Sequence, residues 1–300
     1  MALINVGSRP APMWAVVRFL AYSGSAVPLE RARALLSPPT LAGESQSLSD
    51  MFDKAIKTLQ ELELLNITDD GALMLAGAAA GLDGIDSNAF AAVLRTTALA
   101  RKHNNGLADT DEQTGARDLT RALSWFLSLD PMGPAIDWDQ AQNLRQNALK
   151  PEAGPAIVNQ ERWQPFGDWS QALGLAARPL LQTRGASPLT PDCTIAIRQV
   201  MQELWRPGQQ VNAVEAVRTL RQHLPVLPGG EYSRSLMIND PGERVAGAAL
   251  SYALLRGHDE QWLRLELDSD AARVLQVTDP EQPSSPRYAS DITILEPARA

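Results

Sequence analysis

The stretch from residue 51 to residue 75 constrains the fold of this chain more than any other. It reads MFDKAIKTLQELELLNITDDGALML, and its apolar residues first recur at the three- and four-residue spacing of one helix face. These are Phe52, Ala55, Ile56, Leu59 and Leu62. The β-branched run LLNIT, the turn signature DDG and the apolar ALML then predict two strands joined by a tight turn. The stretch therefore predicts a helix that leads directly into a β-hairpin.

Two further helices are predicted before this stretch. PMWAVVRFLAYSG has helical spacing of its apolar residues and ends in Gly24, a residue suited to a helix C-terminus. VPLERARALLS follows, with Pro28 in the position that suits a first turn. Three helices and a hairpin form the order of a winged helix-turn-helix, and we predict such a domain for residues 1–85.

The last third of the chain, residues 186–300, repeats this order and predicts a second winged-helix domain. PDCTIAIRQVMQELW, VNAVEAVRTLRQHL and GERVAGAALSYALLRG predict three helices. QWLRLEL then alternates as a strand does, SDAAR can turn, and VLQV can return as the second strand of a hairpin.

The middle region, residues 86–185, is predicted to be helical. FGDWSQALGLA followed by ARPLLQT could close a degenerate third winged helix. Turn residues mark the borders of this region at residues 77–87 and 183–192. The predicted fold class is therefore mainly α with small β-hairpins (α+β), with tandem winged helix-turn-helix domains on either side of a helical middle region.

The charge argues against strong autonomous DNA binding. The net charge is −8, and none of the three segments is basic, whereas neutralisation of phosphates supplies much of the affinity of DNA-binding proteins. A local basic patch stays open as an alternative. We find no apolar run of membrane-spanning length and no signal peptide at the start, so we expect a cytoplasmic protein without a membrane partner.

Five cations are candidates for DNA contact. The outward face of the helix in residues 51–62 offers Lys54 and Lys57, with Thr58 beside them, although Asp53 and Glu61 oppose a phosphate contact. The candidates in the last third are Arg218 and Arg221 on its second helix and Arg244 on its third helix.

The third helix of the last third also carries a surface of small residues, in VAGAALSYAL. Such a surface packs closely against another element as easily as it enters a groove. We therefore expect Ala248, Ser251 and Tyr252 to contact a protein partner.

No pattern in the sequence predicts catalysis. Gly-rich phosphate loops are absent, and the three histidines stand far apart and outside any metal-ligand spacing. The acidic runs DTDE and ELDSD read as solvated turns, and the single cysteine, Cys193, reads as a small buried residue. We predict no catalytic residue, no metal and no cofactor.

Four phrases of the sequence resemble one family. They are LINVGSRPAPMWAVVRFL, WQPFGDWSQALGL, LTPDCTIAIRQV and HLPVLPGGEY. Together they are similar to DpdG, the G component of bacterial gene clusters that insert 7-deazaguanine derivatives into DNA and restrict unmodified DNA. The resemblance implies a phage-defence setting, with partners that look like helicases, ATPases and nucleases. It supplies no catalytic residue.

Three functions are compatible with this reading of the sequence. The first is a non-enzymatic winged-helix subunit of a restriction system, which couples its partners to double-stranded DNA. The second is a structural adaptor of an ATPase complex whose winged helices bind only protein. The third, a transcription regulator, is weakened by the lack of a basic domain.

Overall fold

The computed structural model describes residues 2–38, 40, 47–110, 112, 115–144, 149–179, 187–279, 282 and 284–296. The fold is α+β, with helices and small antiparallel sheets, as the sequence predicts at this level. The chain forms two compact units. Unit 1 contains Met1–Asn105, Gln113–Leu119 and Val158–Leu173, and unit 2 contains Gly106–Glu112, Thr120–Ile157 and Gly174–Ala300.

The helices and strands of both units are numbered along the chain. The helices are α1 Pro10–Ser23, α2 Leu29–Leu36, α3 Ser47–Glu61, α4 Ser87–Ala98, α5 Arg117–Phe126, α6 Trp138–Leu144, α7 Trp163–Ala172, α8 Thr194–Leu204, α9 Ala213–His223, α10 Glu231–Ser235 and α11 Ala248–Asp259. The strands are β1 Val27–Pro28, β2 Leu65–Ile67, β3 Ala72–Leu75, β4 Gln210–Asn212, β5 Leu263–Glu266, β6 Leu275–Val277, β7 Arg287–Ala289 and β8 Asp291–Ile294.

In unit 1 the three predicted helices and the hairpin are present. All five apolar positions predicted for α3 are buried, and Gly24 ends α1 in the left-handed conformation with φ 64°. Gly71, with φ 78°, lies in the turn between β2 and β3. The sequence did not predict β1, which pairs antiparallel with β3 and makes the sheet order β1-β3-β2.

The N-terminal segment is anchored in unit 1 by the buried carboxylate of Asp118. Its two oxygens accept hydrogen bonds from Leu3 N at 3.1 Å, Ile4 N at 3.0 Å and Leu119 N at 2.7 Å. Arg162 Nη1 lies 3.7 Å from Oδ2. Burial raises the pKa of Asp118 to about 6, against the opposing effect of these donors.

Ser8 fixes the next part of the same segment. Its carbonyl accepts a hydrogen bond from Trp169 Nε1 at 2.9 Å, and its Oγ lies 3.1 Å from Thr58 Oγ1. Gly7 has φ 103°, so a larger residue there would be strained, and the end of the Lys54 side chain, which lies against it, would have to move. The first phrase of the family resemblance is thus largely a packing motif.

In unit 2 the predicted hairpin of QWLRLEL and VLQV is wrong. β5 pairs with β8, which lies between β4 and β5 in the sheet order β4-β8-β5. β6 pairs with β7 as a separate two-stranded ribbon. The alternation of QWLRLEL predicted a strand but contained no information about its partner, since pairing depends on a segment more than twenty residues away.

The two units share one order of elements. Among the described residues, the stretch 10–75 of unit 1 contains a helix, a strand, two helices and two strands, and the stretch 194–294 of unit 2 contains elements in the same order with additions; in each three-stranded sheet the last strand takes the centre. Unit 2 adds α10 between its second and third helices and inserts the β6-β7 ribbon between its last two strands. Its third helix, α11, begins at Ala248, several residues later than the sequence predicts.

The prediction for the middle region, residues 86–185, is tested only in part. α4, α5 and α7 are helical as expected, but residues 180–186 lie outside the described residues, so the degenerate third winged helix is not described. The division into three domains at residues 85 and 185 stays a prediction. None of the helices in the described ranges is long and apolar enough to cross a bilayer.

The Asp118 anchor predicts a specific dependence of stability on pH. The folded pKa of about 6 exceeds the ordinary value of 3.8, so the folded state binds the proton more tightly, and the stabilising contribution falls as pH rises from 4 to above 6. Asp118→Asn removes this titration. We expect the free energy of unfolding of the wild type, minus that of Asp118→Asn, to fall by about 2 kcal/mol between pH 4 and 7.

Urea denaturation at four pH values measures this difference. Asp69→Asn, which removes an exposed carboxylate from the β2–β3 turn of the same unit, is the control. A difference for Asp118→Asn that stays constant or grows with pH would contradict the anchor.

Candidate DNA and partner interface

The outward face of α3 presents few cations. Lys57 is exposed and forms no ion pair within the described part of the chain. Lys54 is half-buried, and its Nζ lies 3.8 Å from Asp50 Oδ2. Both predicted lysines therefore lie on one helix, but only Lys57 is fully available to a phosphate.

Two neighbours of these lysines restrict the face further. Thr58 was expected to point outward but is buried, because it follows Ala55 by three residues on the apolar stripe, and its Oγ1 donates to Lys54 O at 2.8 Å. Asp53 accepts two hydrogen bonds from Arg33, at 3.0 and 2.6 Å, in the two-pronged geometry of a strong arginine–carboxylate pair.

In unit 2, Arg218 lies on the exposed side of α9, where the sequence predicts it. Its Nη1 donates to Glu215 Oε2 at 2.8 Å, and its Nη2 donates to Glu243. The hydrogen bond to Glu243 raises the pKa of Arg218, and the charge of Glu215 adds to this effect. Arg218 is therefore exposed but already neutralised by the chain's own carboxylates.

Arg221 is not on the surface, and its prediction as a DNA contact is wrong. It is only 8% exposed, because it follows Val217 by four residues and shares the buried stripe of α9. Its guanidinium donates to Gly242 O at 3.1 Å and Val245 O at 2.8 Å. Burial lowers the pKa of Arg221. The residue holds the segment before α11 in place.

Arg244 is exposed, but it precedes α11 instead of lying on it. It follows Glu243 directly, and its charge contributes to a lowered pKa of that carboxyl, for which the hydrogen bond from Arg218 is the largest cause. Arg273, in the connection from β5 to β6, contributes to the same lowering and donates to Glu215 Oε1 at 3.1 Å.

These contacts define what we call the arginine–glutamate cluster. Its members are Glu215, Arg218, Glu243, Arg244 and Arg273. They come from three segments: the start of α9, the residues before α11, and the connection after β5. The spacing of Glu215 and Arg218 on one helix was readable from the sequence, but no local pattern indicates that Glu243 and Arg273 join them.

Of the three residues of α11 that were predicted to contact a partner, two are half-buried and one is buried. Tyr252 and Ala248 are half-buried. Ser251 is 1% exposed, and its Oγ accepts a hydrogen bond from Thr278 N at 3.0 Å, so its prediction as a partner contact is wrong. The small residues of α11 are used within the unit, since a side chain at Gly257 would collide with the Trp262 ring.

Ala248 also lines a half-open cleft of about 420 Å³ in unit 2. Met237 lies at this cleft with 72% of its surface exposed and a left-handed φ of 60°. Prolines 228 and 241 and Ile238 complete the apolar part of the lining. Ser128 and Asn239 also line the cleft, so it offers a mixed polar and apolar surface next to the predicted partner face.

The single cysteine and one of the histidines, which were considered as candidate reactive groups, form hydrogen bonds within unit 2. Cys193 is fully buried, its Sγ donates to Ala249 O at 3.4 Å, and burial raises its pKa. His258 Nδ1 accepts a hydrogen bond from Leu265 N at 3.2 Å. Among the residues that the structure describes, no three side chains of His, Cys, Asp or Glu are grouped so that they could hold a metal ion.

Comparison with known proteins gives one match. The model of a family described as DpdG-like matches residues 1–271, which is nine-tenths of the chain. No curated protein and no solved structure matches.

Arg221 is buried and Arg218 is exposed, and measuring the stability of an alanine variant of each tests this difference. Arg221→Ala leaves two backbone carbonyls without their donor, and we expect it to lower the free energy of unfolding by about 2 kcal/mol. Arg218→Ala, the matched control on the same helix, should change stability little, because its ion pairs are exposed to solvent. Chemical denaturation of both variants measures the difference. Equal effects would contradict the assignment of Arg221 to a structural role.

Proposed function

We propose that this chain, which belongs to the DpdG-like family, is a winged-helix subunit of the Dpd DNA-modification and restriction system. In this proposal it has no catalytic role and couples a helicase, ATPase or nuclease partner to double-stranded DNA. The family supports the association with the Dpd system.

The observation that carries the winged-helix proposal is the repeated order of elements. A helix, a strand, two helices and two strands, with the last strand central, is the layout expected of a winged helix-turn-helix; the described residues of unit 1 follow it, and those of unit 2 follow it with α10 and the β6-β7 ribbon added. In this layout α3 and α11 take the position of the helix that reads DNA, and α2 and α9 precede them.

Two cations support a DNA contact. Lys57 is exposed on α3 of unit 1, and Arg244 is exposed directly before α11 of unit 2. Each lies on or next to the third helix of its unit, where a winged helix approaches a duplex. A protein with so few available cations needs its partners to supply much of the phosphate affinity.

A second function, a protein-binding adaptor, is favoured by a different observation. Several other outward arginines of unit 2 are bound by carboxylates, as Arg218 is by Glu215 and Glu243. Arg256 in the same way contacts Asp192 at 2.9 Å and Glu260 at 2.7 Å. A face whose charges are paired internally suits a protein partner as well as it suits DNA.

A DNA titration separates the two functions. Fluorescence anisotropy of the purified chain with duplex and single-stranded DNA at two salt concentrations measures affinity and its salt dependence. We expect weak duplex binding that Lys57→Glu with Arg244→Glu reduces roughly tenfold or more at ~0.1 M salt, with a shallower salt slope.

The matched control is Arg18→Glu with Arg206→Glu, which makes the same change in net charge on exposed residues outside the third helices. Equal losses in both double variants would show that only net charge matters. No binding of DNA by the wild type at low salt, combined with stable co-purification with the other proteins of its gene cluster, would favour the adaptor.

A further inference from the structure

If unit 2 is a winged helix, the members of the arginine–glutamate cluster come from the regions that approach DNA. Helix-turn-helix domains approach DNA with the start of the third helix and with the second helix, and the wing adds contacts to the backbone. In unit 2 these regions are the residues before α11, the first turns of α9, and the connection after β5. The cluster draws its members from these three regions.

Inside the cluster, Arg218 and Arg273 are bound by the chain's own carboxylates. Arg218 contacts both Glu215 and Glu243, and Arg273 contacts Glu215. Glu215 thus joins α9 to the connection after β5, and Glu243 joins α9 to the residues before α11. Two carboxylates therefore bind guanidinium groups that lie at the surface of unit 2.

These ion pairs are exposed and therefore exchangeable. The side chains of Arg218, Glu215, Glu243 and Arg273 are between 41% and 55% exposed. Exposed pairs are weak and are screened by salt. A phosphate presents the same two-pronged acceptor to arginine as a carboxylate does, so a phosphate backbone can replace the glutamates.

We propose that the arginine–glutamate cluster is the contact surface of unit 2 for the phosphate backbone of duplex DNA, and that Glu215 and Glu243 hold it closed. This inference rests on the proposed function and adds to it a regulation of the same surface. In the closed state the glutamates compete with phosphate for Arg218 and Arg273. The chain alone binds DNA weakly for this reason, in addition to its acidic net charge.

Replacing both carboxylates by amides opens the surface without adding a cation. Glu215→Gln with Glu243→Gln should bind a duplex roughly tenfold more tightly than the wild type at ~0.1 M salt, because the two arginines are released. Two additional phosphate contacts should also steepen the slope of log affinity against log salt by about 2. Anisotropy titrations at several salt concentrations measure both quantities.

Two further variants make the test specific. Glu152→Gln with Glu203→Gln removes two exposed carboxylates from unit 2 outside the cluster, and it should gain much less affinity. Adding Arg218→Ala and Arg273→Ala to the opened variant should return its affinity to the wild-type level or below. Circular dichroism melts establish that each variant is folded, and the single variants Glu215→Gln and Glu243→Gln replace the double variant if it is not.

The outcomes separate this inference from the proposed function. Wild-type binding with no gain in the opened variant, or with an equal gain in Glu152→Gln with Glu203→Gln, overturns the closed surface and leaves the DNA contact of the chain intact. No DNA binding by the wild type and none by the opened variant overturns both.

Discussion

Backbone hydrogen bonding by one central strand fixes the layout of each unit, because β3 and β8 pair on both edges with strands that come earlier in the chain. β3 thereby ties the connection between α1 and α2, which contains β1, to the hairpin that follows α3. β8 does the same for the connection between α8 and α9 through β4, and for β5, which follows α11. The third helix of each unit leads into an edge strand of the sheet, α3 into β2 and α11 into β5. The proposed interfaces all depend on this arrangement.

Several cations on the surfaces of α3 and of unit 2 form ion pairs with carboxylates of the same unit, and the proposed function takes this pairing into account. On α3, Asp50 approaches Lys54, and in unit 2 the glutamates of the cluster bind Arg218 and Arg273. As the proposed winged-helix subunit, the chain would offer little free positive charge to DNA, and phosphate contacts supply much of the affinity of DNA-binding proteins. In that proposed role it would bind DNA weakly, and its partners would contribute most of the affinity. The same pairing of charges suits a protein-binding adaptor.

Local sequence patterns predicted most helices, the hairpin of unit 1 and the buried positions of α3. They did not predict β1, which has only two residues and no periodicity, or the pairing of β5 with β8 across the β6-β7 ribbon. Thr58 and Arg221 were predicted to face outward as polar residues, and Ser251 was predicted to face a partner as part of a small-residue surface, although helical spacing puts each of them beside apolar core residues. Their burial is explained by hydrogen bonds to groups far apart in sequence, which no single-helix pattern contains. The cluster was missed for the same reason, since Glu243 and Arg273 meet only in the folded unit.

Hydrogen–deuterium exchange of the opened variant, Glu215→Gln with Glu243→Gln, with and without a duplex, tests the central claim most directly. The claim is that unit 2 meets DNA as a winged helix through three separate segments. The account predicts that the duplex slows exchange together in the first turns of α9, in residues 240–247 and in the connection between β5 and β6. Slower exchange confined to other parts of the chain, while the duplex is bound, would contradict it.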